Sequence, residues 1–374
     1  MKTRLFYLLF TVLSSVFFMS NAQEISSGYI FTEKTNIKVS AVENQQNTGT
    51  CWSFATTSFI ESELIRMGKP EYNLSEMYFV RYAYIQKGYD YVRYHGKMNF
   101  GEGGQAHDVL NVVREFGFSD QSYFKGNSYD PGNYNHGELS AMLKAVLDVV
   151  VSKPNGKVTE VWDKAYVSII DTYLGDVPEK VGTNGKSHSA IGFAKETGFN
   201  PDDYVELTSY THHPFYEQII LEIPDNWSND LYYNVPLNDL MTIMNNSLNM
   251  GYTFVWDGDV SHPGFSHKNG VAIVSKDEYQ FENPAPEKDI TQECRQIEFD
   301  NLTTTDDHLM HIVGLVTDQN GTVYYKTKNS WGTERNKFGG YLNMSESFVR
   351  LNTVAVLVHK NTIPKEIKEK LKIK

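Results

Sequence analysis

The sequence QQNTGTCWSF, residues 45–54, carries the first signal of how this chain is built. A polar run leads through Gly49 to Cys51, and apolar residues then recur at helical spacing until Gly68 and Pro70 end the pattern. We therefore predict a helix that begins near Cys51. A thiol in the first turn of a helix lies close to unpaired N–H groups and to the positive end of the helix dipole, which favour the thiolate.

A lone cysteine at a helix start is more often a packed core residue, so a catalytic role depends on a base and an orienting group elsewhere. The last third of the chain offers both. His308 opens an apolar, strand-like run, and Asn329 follows the next apolar run. Two adjacent strands joined by a turn at residues 318–321 would place these side chains together, and Trp331 could cover their hydrogen bond from water.

The composition describes a folded globular chain. Of its 374 residues, 40% are apolar and 13% aromatic, which excludes a disordered polypeptide. The formal net charge of −12 argues against a surface for nucleic acid, which needs a basic stripe. Two cysteines cannot build a disulfide framework, and Cys294 in its polar stretch is interpreted as a structural or surface thiol.

Helical patterns come first and strand patterns late, which predicts an α+β fold class. Further helices are predicted near residues 75–83, 105–116, 139–151 and 237–249, and strands near 253–256, 311–316, 323–328 and 354–359. The segment between residues 123 and 236 is rich in Tyr, Asn, Asp and Gly. Apart from its one predicted helix, we expect irregular structure there.

Taken together, these motifs resemble the papain-like cysteine peptidases. The matching features are Gln45 six positions before Cys51-Trp52, His308 ahead of an apolar run ending in Gly314, and the NSWG sequence at 329–332. The closer resemblance is to the bleomycin hydrolase and bacterial aminopeptidase C branch, on the features GGQ at 103–105, the stretch 295–301 and His308-x-Met310. The resemblance covers about residues 40–364.

The resemblance implies a two-lobe α+β fold, with a helical lobe and a β-barrel-like lobe on either side of a cleft. It implies that Cys51 is the nucleophile, that His308 is the general base and then acid, and that Asn329 orients the imidazole. Gln45 would donate to the oxyanion, as would the Cys51 N–H. The positions expected to line the substrate cleft are Gly103, Gly104 and Trp331. Peptides are the implied substrates, without a metal or organic cofactor.

The chain is long for this family. Cys51 and His308 are 257 positions apart (308 − 51), whereas papain-type chains use about 130–150. We interpret the surplus as an insertion in one enlarged catalytic unit. The predicted divisions are a signal peptide (1–22), a helical lobe with the nucleophile (23–124), the insertion (125–236), a β-rich lobe with His and Asn (237–364) and a charged C-terminal tail (365–374), expected to be a solvated helix end.

The predicted function is hydrolysis of peptide bonds through a thioester acyl-enzyme, of the aminopeptidase type with endopeptidase activity left open. One alternative is a catalytically silent papain-like protein that binds peptides. Another is a metal-dependent hydrolase that uses His308 and His311, although residues three apart on a strand point to opposite faces. The oligomeric state stays open, including a homo-oligomer.

The first residues predict export. Lys2 and Arg4 precede a mostly apolar run, residues 5–18, and Ser20-Asn21-Ala22 fits a small-x-small cleavage pattern. This run is shorter than the roughly 20 apolar residues that a membrane anchor needs. We therefore expect cleavage near Ala22 and a periplasmic or secreted protein without a membrane span.

Overall fold

We analysed a computed structural model, which describes residues 28–181 and 188–373. The predicted signal peptide, residues 1–22, lies outside the described residues. In chain order, the helices and strands are β1 (Thr32–Asn36), α1 (Cys51–Arg66), α2 (Glu76–Arg93), α3 (Ala106–Phe116), α4 (Gly137–Ser152), α5 (Trp162–Leu174), α6 (Ala190–Thr197), β2 (Tyr204–Thr208), β3 (Glu217–Ile220), β4 (Leu231–Asn234), α7 (Leu237–Asn249), β5 (Phe254–Gly258), β6 (Phe265–Ser266), β7 (Val271–Ala272), α8 (Gln292–Asp300), β8 (His308–Thr317), β9 (Val323–Lys328), β10 (Tyr341–Ser345), α9 (Glu346–Asn352), β11 (Thr353–His359) and α10 (Lys365–Leu371). The predicted α+β class is confirmed.

Helix α1 lies at the centre of the molecule. Every residue from Cys51 to Leu64 is buried, and the helix packs against α2 and α3 on one side and against β8 and β5 on the other. A helix that is enclosed on all sides needs small or apolar residues around its whole circumference. Ala55, Phe59 and Ile60 supply such surfaces, and none of the three is more than 4% exposed.

The described strands form one sheet in the order β3-β4-β2-β11-β5-β8-β9-β10-β7-β6, with β1 paired to β8. Strands β8 and β9 are antiparallel neighbours, as the sequence predicted, with a turn in which Asp318 accepts from the N–H groups of Asn320 and Thr322. Since β8 begins at His308 and β9 ends at Lys328, these two ends meet at one edge of the pair. This geometry positions the candidate site.

The expectation of an irregular segment between residues 123 and 236 is wrong. Besides α4, this segment contains α5, α6, β2, β3 and β4. Helix α5 buries Tyr166, Ile170 and Leu174 at intervals of four, a helical signal that the polar composition obscured. The insertion is shared between the lobes. Its helices pack on α2 and α3, and β2 extends the sheet by pairing with β11.

The C-terminal residues form α10, whose charged face covers two buried apolar side chains. Ile367 and Leu371 join a core cluster that also contains Met241 of α7. The helix at Lys365–Leu371 therefore packs on the β-rich lobe, and is not only the solvated helix end that the charges predicted. Among the described residues, no helix is both long enough and apolar enough to cross a membrane.

Candidate active site

The thiol of Cys51 lies where helix α1 meets strand β8. Cys51 is the first residue of α1, and the N-cap residue Thr50 makes no side-chain capping hydrogen bond, so the first-turn N–H groups keep their positive field. The backbone N–H of Leu309 donates to the sulfur. Upstream, the Gly49 N–H donates to Glu102 Oε2 over 2.6 Å, and a Cβ at Gly49 would lie only 3.0 Å from Glu102 Cβ. Gly49 thus allows the close approach that fixes the loop before the thiol.

The structure brings His308 and Asn329 together. His308 Nε2 and Asn329 Oδ1 are 2.8 Å apart, and both side chains are buried. Because Nε2 is engaged by Asn329, Nδ1 is the ring nitrogen left to exchange a proton with the thiol. The ring of Trp331 lies 4.8 Å from the imidazole centroid at an interplanar angle of 34°, so it covers the pair as predicted. His267 also packs against Trp331 with a centroid distance of 5.0 Å, and its Nδ1 lies 3.4 Å from Asn329 Nδ2.

Burial opposes charge on both members of the candidate pair. It is the main cause that raises the pKa of Cys51 to about 12, and it lowers the pKa of His308 to about 4 against the opposing hydrogen bond from Asn329. The predicted thiolate–imidazolium pair therefore depends on the attraction between its two charges and on the end of α1. These two interactions must together offset the desolvation of both groups.

Gln45 connects the loop before α1 to the segment after β9. Its Nε2 donates to the Thr48 carbonyl over 2.7 Å, and its Oε1 accepts from Ser330 Oγ over 2.6 Å. A backbone bond of 2.9 Å from the Gln45 N–H to the Ser330 carbonyl joins the same two segments. An amide Nε2 carries two hydrogens, so one stays available for the predicted oxyanion role.

The two predicted substrate glycines differ in their surroundings. Lys87 Nζ donates to the carbonyls of Gly101 and Gly103, so the Gly103 acceptor is already used. No hydrogen bond between described residues uses the backbone of Gly104, which is thus the better placed of the two to pair with an extended peptide. A Cβ at Gly104 would approach the Trp52 ring to 3.1 Å, so a side chain there would collide with the start of α1.

His308 and His311 do not meet. His311 Nδ1 contacts Ser58 Oγ of α1 at 2.8 Å, whereas His308 is held by Asn329. Within the described parts of the chain, the one group whose ligand atoms are spaced for a metal ion is the surface set His212, His213 and Glu222. The metal-dependent alternative has no geometric support at His308.

Sequence reasoning missed three carboxylates beside this site. Asp257, Asp306 and Asp225 all lie close enough to raise the pKa of the Cys51 thiol, after the larger effect of burial. Asp306 stands two residues before His308, and Asp257 ends an apolar strand in the sequence FVWDGD. Acidic residues at the ends of buried strands were the signal that could have identified two of them.

Comparison with known proteins gives matches over both ends of the chain. A family model described as the peptidase C1-like family matches residues 183–374. A second model, described as papain family cysteine protease, matches residues 30–149.

Two curated proteins and one solved structure match most of the chain. Aminopeptidase W of Lactobacillus delbrueckii subsp. lactis is 24% identical over 378 residues, which are 88% of this chain and 83% of that protein. Aminopeptidase G of the same organism is 24% identical over 381 residues, 90% and 85% of the two chains. The crystal structure of PepW from Lactobacillus rhamnosis HN001 superposes with a TM-score of 0.74 at 17% identity, covering 91% of this chain and 84% of that one. The two chains therefore share a fold.

Proposed function

The chain belongs to the peptidase C1-like family, and on this basis we propose that it is a papain-like cysteine peptidase that removes residues from the N-termini of peptides. The family membership confirms the resemblance seen in the motifs around Cys51, His308 and Asn329. The single observation that carries the chemistry is the 2.8 Å contact between His308 and Asn329, one residue away from the Leu309 N–H that reaches the Cys51 sulfur. The N-terminal direction of cleavage is supported by the two relatives named as aminopeptidases.

The proposed reaction passes through a thioester. His308 takes the proton of Cys51, and the thiolate attacks the carbonyl carbon of the peptide bond. The negative oxygen that forms is stabilised by the Cys51 N–H and by the free hydrogen of Gln45 Nε2. His308 then returns the proton to the leaving amine, and water hydrolyses the acyl-enzyme in a second, similar step. Asn329 keeps the imidazole oriented through both steps.

The role of Cys51 is tested by comparing the two cysteines of the chain. We expect Cys51→Ala to lower the hydrolysis of fluorogenic peptides by at least about a thousandfold, because the nucleophile is lost. Cys294→Ala is the matched control, since Cys294 is an exposed free thiol. Its activity should stay at the wild-type level. Full activity in the Cys51→Ala protein would disprove the thioester mechanism.

The direction of cleavage is tested separately. Wild-type protein is incubated with a mixed peptide pool, and the products are identified by mass spectrometry at early times. We expect single residues released from free N-termini. Internal cuts as the first products would instead support an endopeptidase. Failure of an epoxide thiol trap to label Cys51, together with the absence of cleavage, would favour the silent peptide-binding alternative.

We also propose that the protein is exported. The support is the order of charge, apolar run and small residues within residues 2–22. Expression in a bacterial host followed by N-terminal sequencing of the mature protein tests this. A mature chain that begins near Gln23 is expected in the periplasm or medium, and protein that stays in the cytoplasm with an intact Met1 would contradict the proposal.

A further inference from the structure

Three carboxylates, Asp225, Asp257 and Asp306, lie beside the reactive residues, and we call them the carboxylate cluster. Asp257 on β5 is the register partner of Leu309 on β8, the residue whose N–H contacts the Cys51 sulfur. Paired residues of neighbouring strands project to the same face of a sheet. Asp257 thus faces the helical lobe on the side of the thiol.

The other two carboxylates flank the glycine segment at 103–105. Gln105 Nε2 donates to Asp306 Oδ2 over 2.9 Å. Asp225, in the loop between β3 and β4, accepts from Asn99 Nδ2 over 3.0 Å, and a Cβ at Gly103 would overlap its carboxylate. The insertion therefore supplies one wall of the cleft next to the backbone that is predicted to hold the substrate.

Asp257 is only 3% exposed, and apart from its contact with the Asp306 carboxyl neither of its oxygens accepts from an N–H or hydroxyl group of the described residues. The hydroxyls of Tyr210 and Tyr232, which both lie within electrostatic reach of Asp257 and Asp306, are also buried without a partner. Buried polar groups are normally hydrogen-bonded, so a buried pair of carboxyls that lacks a nitrogen donor, next to two unpartnered hydroxyls, points to a ligand that carries donors.

No positive side chain of the described residues forms an ion pair with the cluster, although the charge of Lys87 lowers the pKa of Asp225 against the effect of burial. Among ion pairs between described residues, none includes a member of the carboxylate cluster. The nearest buried cation, Lys87, gives its hydrogen bonds to the carbonyls of Gly101 and Gly103. The three carboxylates also lack the spacing needed to hold one metal ion together. An organic ammonium, with three N–H donors directed outward, suits this spacing better.

We propose that the carboxylate cluster binds the α-ammonium group at the N-terminus of the substrate. This inference rests on the proposed aminopeptidase function and names the residues that would select a free N-terminus. In the proposed arrangement one residue would separate this ammonium from the bond presented to Cys51. It would also offset the negative charges that raise the pKa of the thiol, so the correct substrate would favour the thiolate.

The test uses substrates that differ only in the amine. An alanyl fluorogenic amide is compared with its propionyl counterpart, which has hydrogen in place of the amino group, and with its N-acetyl form. For wild-type protein we expect kcat/KM to be about a hundredfold higher for the free amine, since a charge-assisted contact is lost in the others. Asp257→Asn should reduce this ratio to about tenfold or less, mainly through a higher KM.

Two further variants keep the test decisive. Asp225→Asn changes a half-buried member of the cluster and should shift the ratio in the same direction, which provides an answer even if Asp257→Asn does not fold. Asp277→Asn is the matched control, an exposed aspartate outside the cleft, and should leave the ratio unchanged. A wild-type ratio in both folded cluster variants overturns the proposal while the aminopeptidase function stands.

The ammonium group bound by the carboxylate cluster could also belong to a basic side chain of the substrate. This source is tested by comparing the hydrolysis of N-acetyl-lysyl-alanyl and N-acetyl-norleucyl-alanyl amides, which both lack a free N-terminus and differ in the side-chain ammonium group. A lysyl preference that disappears in Asp257→Asn would show that the cluster reads a side chain, which overturns the α-ammonium assignment. Internal first cuts by the wild-type protein would overturn both this inference and the aminopeptidase proposal, whereas Cys51-dependent hydrolysis would remain.

Discussion

Two groups of buried charged residues lie near Asn329 and Cys51, and they differ in one respect. On one side, Lys328 donates to Ser40 Oγ and Ser58 Oγ over 3.1 and 2.7 Å, and Ser40 also hydrogen-bonds to Glu61. We call these four residues the lysine cluster. The carboxylate cluster on the other side has no cation in hydrogen-bond contact, and Lys87 acts on Asp225 only through its charge. The difference suggests that the lysine cluster is a closed structural network, and that the carboxylate cluster is complete only with a bound cation.

The largest expected effect on stability comes from removing the charged group of Lys328 from the lysine cluster. Lys328→Met should lower the free energy of unfolding by about 3 kcal/mol, because the Ser40 and Ser58 hydroxyls would lose a charged, buried donor. Urea denaturation followed by circular dichroism measures the change. Lys326→Met on the same strand is the control. Lys326 pairs with the exposed Glu33, so its removal should change the stability by no more than about 1 kcal/mol. Equal losses of unfolding free energy in the two variants would contradict the view that the lysine cluster stabilises the fold more than a surface ion pair does.

The next effect is a pH dependence of the stability that arises from Asp306 in the carboxylate cluster. Burial, followed by the nearby Asp225, raises the pKa of Asp306 to about 7, above the value of about 3.9 for an unfolded aspartate. Between these values the folded chain keeps a proton that the unfolded chain releases. The contribution of Asp306 to the free energy of unfolding thus decreases as the pH rises from about 4 to about 7.

Asp306→Asn removes this titration. The stability of the variant relative to the wild type should therefore increase between pH 4.5 and pH 7.5, by on the order of 3 kcal/mol or less. Denaturant unfolding of both proteins at the two pH values gives the difference. Parallel pH profiles would mean that Asp306 is ionised throughout and already has a counter-charge.

The smallest expected effect is on the stability of the Asp257→Asn protein. No N–H or hydroxyl group of the described residues donates to Asp257, and an asparagine amide can keep the contact with the Asp306 carboxyl by donating to it. We expect the free energy of unfolding near pH 7 to stay within about 1 kcal/mol of the wild type or to rise. A loss greater than about 2 kcal/mol would indicate that Asp257 stabilises the fold like a member of the lysine cluster.

The sequence was informative where local patterns are strong. The helix at residues 237–249 and the strand at 323–328 agree with the predicted bounds. The adjacency of His308 and Asn329 followed from two apolar runs joined by one turn, and the structure has this arrangement. The roles assigned to Cys51 and Gln45 stay predictions that activity measurements must test.

Other features depend on long-range pairing, which one sequence does not reveal. Asp257 reaches the thiol only because β5 pairs with β8 in one register. Asp225 reaches Gly103 only because the strands of the insertion extend the sheet beside the helical lobe. The Tyr- and Asn-rich composition of the insertion also concealed its regular elements, since tyrosine pairs such as Tyr232 and Tyr210 serve there as core residues.

The shared insertion has a consequence for how the molecule folds. His107 of α3 and Glu206 of β2 form a buried contact of 2.6 Å, and Trp227 Nε1 donates to Asp108 Oδ2 over 3.0 Å. These contacts join the helical lobe to strands that belong to the sheet. The core of the helical lobe also includes Val255, Leu309 and Leu357 of the sheet, so neither lobe has its full core without the other. The two walls of the cleft are parts of one cooperative folding unit, and the width of the cleft is fixed by the same interactions that keep the chain folded.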